Sequence, residues 1–275
     1  MEDKLAKQIL AQMDMCTRMV TQQKELLNQW EKARHVRNIR RHFPVMDIDH
    51  PELHYVRVGR LFDGGYIMVD DFSSVRAIYS CGINDDVSWD LDIAERTGAD
   101  IFMYDHTIDG LPAQHPKFHF FKTGITGEFD ANHPELETLP RLIERNGHTD
   151  DRNMILKMDI EGAEYLTFAE IDRNTLTRFS QIVLELHFLT APDMEDTICF
   201  VLEKLNATHQ LVYVHANNNS PFLFVGGKIL PETIEATYLR KDSYRFKESS
   251  RFFPTELDTP NCPAAPDIAM GYWGQ

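Results

Sequence analysis

Three residues near the middle of the chain, Asp159, Glu185 and His187, bring together acid and imidazole groups of the kind that move protons or bind metals. They close two apolar runs, Met154 to Asp159 and Gln181 to His187, that read as β-strands. Alternation along a strand puts Glu185 and His187 on one face. If the two strands are neighbours, all three side chains converge. Ionisable groups at the ends of apolar strands need partners, because burying an unpaired charge is costly. A divalent ion, magnesium or manganese, held by Asp159, Glu185 and His187 is one such partner. A hydrogen-bonded network that holds loops is the other. A later run, Gln210 to His215, ends in His215-Ala216-Asn217-Asn218-Asn219 and brings a second imidazole to the same edge.

In an open α/β sheet, ligands bind beyond the carboxyl ends of the strands, so the other strand exits are read in the same way. The run Ala77 to Ser80 leads into Ser80-Cys81-Gly82-Ile83-Asn84-Asp85-Asp86-Val87-Ser88 and then a helix. Gly82 suits a tight turn and close backbone approach to a ligand. The carboxylates of Asp85 and Asp86 would repel a pyrophosphate at that helix start, and either could cap it. A cationic ligand fits better, and S-adenosylmethionine (SAM), with its sulfonium and amino groups, is one. The next strand ends Met103-Tyr104-Asp105-His106-Thr107, about twenty residues on, where a carboxylate is placed to accept hydrogen bonds from ribose hydroxyls. Asp105 is the expected ribose acid. A third exit, Lys122-Thr123-Gly124-Ile125-Thr126-Gly127, carries two glycines that let the chain pass close to a flat base. Upstream, Asp63-Gly64-Gly65-Tyr66 favours a tight turn or a loop folding over the cofactor.

The elements that must position these residues alternate in type. Strands are expected at 77–80, 100–104, 118–122, 154–159, 181–187, 210–215 and 233–240. Helices are expected at 86–97, 136–146, 163–171 and 194–206. That alternation implies βαβ units, a mostly parallel seven-stranded sheet and helices on both faces. The proline-bearing tail after Phe246 reads as irregular. The segment before Pro44 has neither glycine nor proline, and Leu5, Ile9, Met13, Cys16, Val20, Leu27 and Trp30 recur at helical spacing. It is expected to be a helical extension, residues 1–43, that packs on its own domain or pairs with another copy. Residues 44–275 then form the catalytic domain. Lys32, Arg34, Arg37, Arg40 and Arg41 form a basic stretch that reads as a solvated face or an anion site.

Composition narrows the function classes. A formal net charge of -15 over 275 residues disfavours a general nucleic-acid partner. The four cysteines are scattered without metal-finger spacing, which suits free thiols in a reducing cytoplasm. No membrane-spanning run or secretory signal is visible.

The motifs together resemble the FkbM-type SAM-dependent methyltransferases, in the branch that includes animal methyltransferase-like proteins. The matching pieces are Phe62-Asp63-Gly64-Gly65-Tyr66, Tyr79-Ser80-Cys81-Gly82-Ile83 with Asp86-Val87-Ser88-Trp89-Asp90, Tyr104-Asp105-His106-Thr107, Leu184-Glu185-Leu186-His187 and His215-Ala216-Asn217-Asn218. The most specific is Leu156-Lys157-Met158-Asp159-Ile160-Glu161-Gly162-Ala163-Glu164. The likeness spans about Val56 to Arg240. It implies a class I Rossmann-like methyltransferase fold with a reversed last strand. It also implies SAM at the Gly82 turn and Asp105, and transfer commonly to oxygen on a sugar, glycan or natural product. The first loop departs from the family pattern in lacking further glycines, so Asp86 and Ser88 are the expected contacts to the methionine end.

Methyl transfer requires alignment of donor and acceptor and a destination for the hydroxyl proton. His187 and His215 are candidate bases. If a metal occupies Asp159, Glu185 and His187, then His215 or His106 takes that role. Two alternatives stay open: methylation of a protein or small metabolite, and a SAM-binding scaffold without turnover.

Overall fold

The computed structural model describes residues 2–273, with side chains described at residue 10 and from residue 12 onward. At its centre is a seven-stranded sheet. Its strands are β1 (Ala77–Cys81), β2 (Asp100–Tyr104), β3 (Phe118–Phe121), β4 (Met154–Met158), β5 (Phe179–Leu186), β6 (His209–Ala216) and β7 (Ile234–Arg240). Their order across the sheet is β6-β7-β5-β4-β1-β2-β3. Only β7 runs against its neighbours, pairing antiparallel with both β5 and β6. Strand order reverses between β1 and β4, which is where an open sheet leaves a crevice at its carboxyl edge.

Strands β1, β4, β5 and β6 are buried at every position. A strand covered on both faces needs apolar side chains pointing both ways, hence the near-continuous apolar runs. Alternate residues feed two separate cores. Tyr79, Leu156 and Ile182 face one, and Ile78, Ile155 and Val183 face the other. On the first face lie α3 (Leu139–Arg145), α4 (Glu164–Glu170), the short α5 (Arg173–Leu176), α6 (Glu195–Asn206) and the end of α1 (Glu2–Arg40). The second face carries α2 (Ser88–Thr97) and an antiparallel hairpin, Tyr55–Val58 with Tyr66–Val69. Helices do lie on both faces, as expected, but the cover is lopsided, and a hairpin shares the second face with α2.

Other expectations shift at their edges. The stretch expected as helix from 136 to 146 opens with a short strand, Leu136–Thr138, before α3. Helix α2 begins two residues late, with Val87 as its N-cap and no side-chain cap. The tail is mostly irregular, yet it plants Phe253, Ile268, Met270 and Trp273 in the core. Among its described side chains, helix α1 docks by its last turns. Val36 and Ile39 enter the core, and the Glu195 carboxylate accepts from Arg34 and Asn38 and bonds His35. The basic stretch is partly spent on this docking: Arg40 donates to the Ile229 and Tyr272 carbonyls and lies over the Trp273 ring. Earlier in α1, Met13, Cys16, Val20, Leu27 and Trp30 are exposed, while Leu5 and Ile9 lie outside the described side chains. No described helix is long and apolar enough to cross a membrane.

Candidate active site

A cleft of about 580 Å3 opens at the carboxyl edge of the sheet. Of the residues expected from sequence, it brings together Tyr66, Gly82, Asp86, Asp105, His106, Gly124, Ile125, Asp159, Glu185 and His187. Gly65, Ser80, Ser88 and His215 do not line it.

On the β1–β2 side, the chain leaves β1 at Gly82 with φ +80, and an added Cβ would fall 1.5 Å from the Asp159 carbonyl oxygen. The close approach that requires glycine is thus to the exit of β4, not to a ligand. Asp105 then fixes the loop. Its Oδ2 accepts from the backbone N–H of Ile83 (2.8 Å) and Asn84 (2.9 Å), and its Oδ1 from the N–H and hydroxyl of Thr107 (2.8 and 2.6 Å). These four bonds match a carboxylate's accepting capacity. Burial works to raise its pKa, but the hydrogen bonds from Asn84, Thr107 and Ile83 outweigh it and hold the pKa below the usual carboxylate range. In this state Asp105 orders the loop, and a ribose would have to share or displace those bonds.

Asp86 is held in a similar way. Its carboxylate accepts from the Ser88 N–H (3.1 Å) and hydroxyl (2.8 Å), with Arg60 Nε 3.3 Å away. Ser88, expected at the ligand, braces Asp86 and accepts from the Arg60 N–H. Ser80 is wholly buried under the loop. Gly65 packs against its own turn, since a Cβ there would meet the Arg60 carbonyl at 2.0 Å. Gly124 makes room for a ring, as expected, but the ring is that of His106, whose Nδ1 lies 2.5 Å from where a Cβ would sit.

Lys157 is a cleft residue that the strand-end reading missed. It is buried, and its Nζ donates to the Gly82 carbonyl (2.9 Å) above Asp90 of α2. Burial raises the Asp90 pKa and the Lys157 charge works against that rise. The signal was present in the sequence: a lysine inside the apolar run Met154–Met158 must find a partner.

The β4–β5 side is built differently. His187 is 8% exposed and ringed by carboxylates. Its Nε2 lies 3.5 Å from Glu161, 3.6 Å from Glu185 and 4.0 Å from Asp159, and its Nδ1 lies 3.3 Å from Glu164. Burial acts to lower its pKa, but the neighbouring Glu164, Asp159 and Glu161 more than reverse this and raise it. Tyr66 donates its hydroxyl to Asp159 Oδ2 (3.1 Å). Glu185 accepts from Asn217 (2.7 Å), and burial, then the charges of Asp159 and Glu235, push its pKa well above the carboxylate range. Among the described residues, the acid and imidazole side chains whose ligand atoms lie within 4.8 Å of one another, close enough to hold one ion, are Asp159, Glu161 and His187. Glu161 belongs to that set and Glu185, expected in it, does not, although Glu185 also stands 3.6 Å from His187 Nε2.

His215, expected as a candidate base, lies outside the cleft lining with both ring nitrogens engaged. Its Nδ1 is 3.1 Å from Glu235 Oε2 and its Nε2 is 3.0 Å from Asp267 Oδ2. Burial opposes protonation, but Glu235 and Asp267 prevail and its pKa is pushed up to about 10. Its two hydrogen bonds clamp the sheet to the C-terminal tail. His106 does line the cleft, packed on Gly124.

The sequence matches a family model described as the methyltransferase FkbM domain over residues 73–214. No protein of curated function matches it. Among solved structures, one match is a protein of Pyrococcus horikoshii described as a candidate RNA methyltransferase. It is 9% identical, with 62% of this chain and 76% of that chain covered and a TM-score of 0.34, a likeness too weak to bear on function.

Proposed function

Since the chain belongs to the FkbM methyltransferase family, we propose that it is a class I Rossmann-like enzyme that carries the methyl group of SAM to a hydroxyl of a sugar, glycan or natural product. The observation that carries this reading is a single cleft joining two groups of residues: the Gly82–Asp105 loop and the Asp159–His187 cluster. Gly82, Asp86, Asp105, His106 and Ile125 surround the donor, with the ring of His106 and the apolar Ile125 beside the adenine. The carboxylates of Asp63, Asp85 and Asp86 on the cleft wall suit the sulfonium and amino charges of SAM. The sheet order, with β7 reversed next to β5, supports the fold assignment.

The reaction is an in-line displacement. The acceptor oxygen bonds the methyl carbon, the carbon–sulfur bond breaks, and its electron pair stays on sulfur as S-adenosylhomocysteine. The hydroxyl proton passes to the carboxylate cluster, in which Asp159 is open to the cleft and steadied by Tyr66. Residues 44–275 are the catalytic unit. Residues 1–43 are a helical extension whose exposed Met13, Val20, Leu27 and Trp30 suit pairing with a second copy, which sedimentation of the full chain would reveal as a dimer.

Calorimetric titration with SAM and with a nicotinamide dinucleotide tests the donor. Saturable SAM binding is expected, and failure to bind it contradicts the proposal. Methyl-labelled SAM with a panel of nucleotide sugars and glycans tests the acceptor, and label is expected in an ether linkage stable to mild base.

A further inference from the structure

We infer that Asp159, Glu161 and His187 form a divalent-cation site in the cleft, with Glu164 holding the His187 ring from behind. The distances suit it. Around an octahedral ion with bonds of about 2.1 Å, ligand atoms stand about 3 Å apart when adjacent and about 4.2 Å apart when opposite. His187 Nε2 is 3.5 Å from Glu161 Oε2 and 4.0 Å from Asp159 Oδ1, inside that window.

Two buried atoms left without partners point the same way. His187 Nδ1 and Glu164 Oε2 each lack a hydrogen bond, although Glu164 is fully buried. Buried polar groups seldom go unpaired. Glu164 Oε1 already accepts from the Ile160 N–H (2.8 Å) and stands 3.3 Å from His187 Nδ1, so the two are near each other but poorly aligned. A small turn of the imidazole lets Nδ1–H donate to Glu164 and leaves the Nε2 lone pair facing Asp159 and Glu161. A carboxylate behind a histidine is the usual support of a histidine ligand.

The charge balance agrees. Asp159, Glu161 and Glu164 gather around one imidazole, while the nearby Lys157 is engaged with the Gly82 carbonyl. Two carboxylates and one imidazole suit Mg2+ or Mn2+, and the imidazole favours Mn2+. Three protein ligands leave positions open on an octahedral ion, where an acceptor oxygen can bind and hold its proton less tightly.

The role of the ion in turnover rests on the methyl-transfer reading; its binding does not. The test is titration of the full chain with Mn2+ alone, following loss of the free-ion paramagnetic resonance signal. One Mn2+ per chain is expected, with water-proton relaxation enhanced by the open positions. Glu161→Gln should weaken binding at least tenfold without moving the Tm of the metal-free protein, because that side chain is 86% exposed. Glu164→Gln should weaken it by about 10–100-fold, and Asp109→Asn, at an exposed ion pair with Lys122, should leave it unchanged. Absence of millimolar or tighter binding, binding indifferent to Glu161→Gln, or bound Mn2+ without relaxation enhancement would overturn the inference. Calorimetry with SAM on the same samples separates the two ideas: SAM bound without Mn2+ removes only the metal site, and Mn2+ bound without SAM removes only the methyl-transfer reading.

Discussion

The two sides of the cleft carry similar residues in opposite states. On the β1–β2 side, Asp105 makes four hydrogen bonds and Asp86 two, all to the protein itself. On the β4–β5 side, His187 stands among four carboxylates and its Nδ1 has no hydrogen bond. Satisfied groups hold a shape before any ligand arrives, whereas unsatisfied ones retain interaction energy for something that completes them. The first side is a cradle braced by its own hydrogen bonds; the second keeps polar atoms unpaired and, in the function proposed above, is the side poised for a partner.

The sharpest way to test that contrast is to remove one carboxylate from each side. Asp159→Ala should cut kcat by about 10^2-fold or more, the usual scale for losing a group that handles the transferred proton, while SAM affinity measured by calorimetry stays near wild type. Unchanged turnover would take Asp159 out of the mechanism. Asp105→Ala should do the reverse. It frees the Ile83 and Asn84 N–H groups, so SAM affinity should fall by about 10–100-fold and stability by about 2–3 kcal/mol in denaturant titration, with Mn2+ binding retained. An Asp105 variant with normal SAM affinity would show that the loop does not need its pin.

Gly82→Ala should also destabilise the cradle, by more than about 1 kcal/mol, since it adds a Cβ at a left-handed φ into the Asp159 carbonyl. The smallest effect on SAM affinity is expected at His215, away from both sides. Its folded pKa of about 10 lies above its unfolded value of about 6.5. Its stabilisation is therefore complete below pH 6.5 and is lost as pH rises through about 10. Tm measured across pH 6–10 should fall less in His215→Gln than in wild type, with SAM affinity little changed in the variant.

The contrast between the sides also explains what could be read from sequence. Strands β1, β4, β5 and β6, covered on both faces, appear as apolar runs, and the polar residues at their ends mark the cleft directly. Asp105 and Asp86 are legible as cleft residues, but their engagement with backbone N–H groups depends on the fold of a loop that periodicity does not describe. Glu161 is legible as one of the carboxylates clustered at the end of β4, but its approach to His187 depends on a turn at φ 56 that periodicity does not describe. His215 looks like a free imidazole because its partner Asp267 is 52 residues away in a tail with no repeating pattern. At the hairpin, the turn at Asp63-Gly64-Gly65 is legible, but the four-residue strands Tyr55–Val58 and Tyr66–Val69 that flank it are too short to show as apolar runs.

The central claim is that the cradle holds SAM so that its methyl group faces the poised side. Isotope-filtered NMR of SAM carrying a 13C methyl group, bound to the full chain, measures this directly. Nuclear Overhauser contacts are expected from that methyl to the rings of Tyr66 and His187. Contacts confined to residues outside the cleft, or a bound methyl that touches His106 and Ile125 instead, would contradict it.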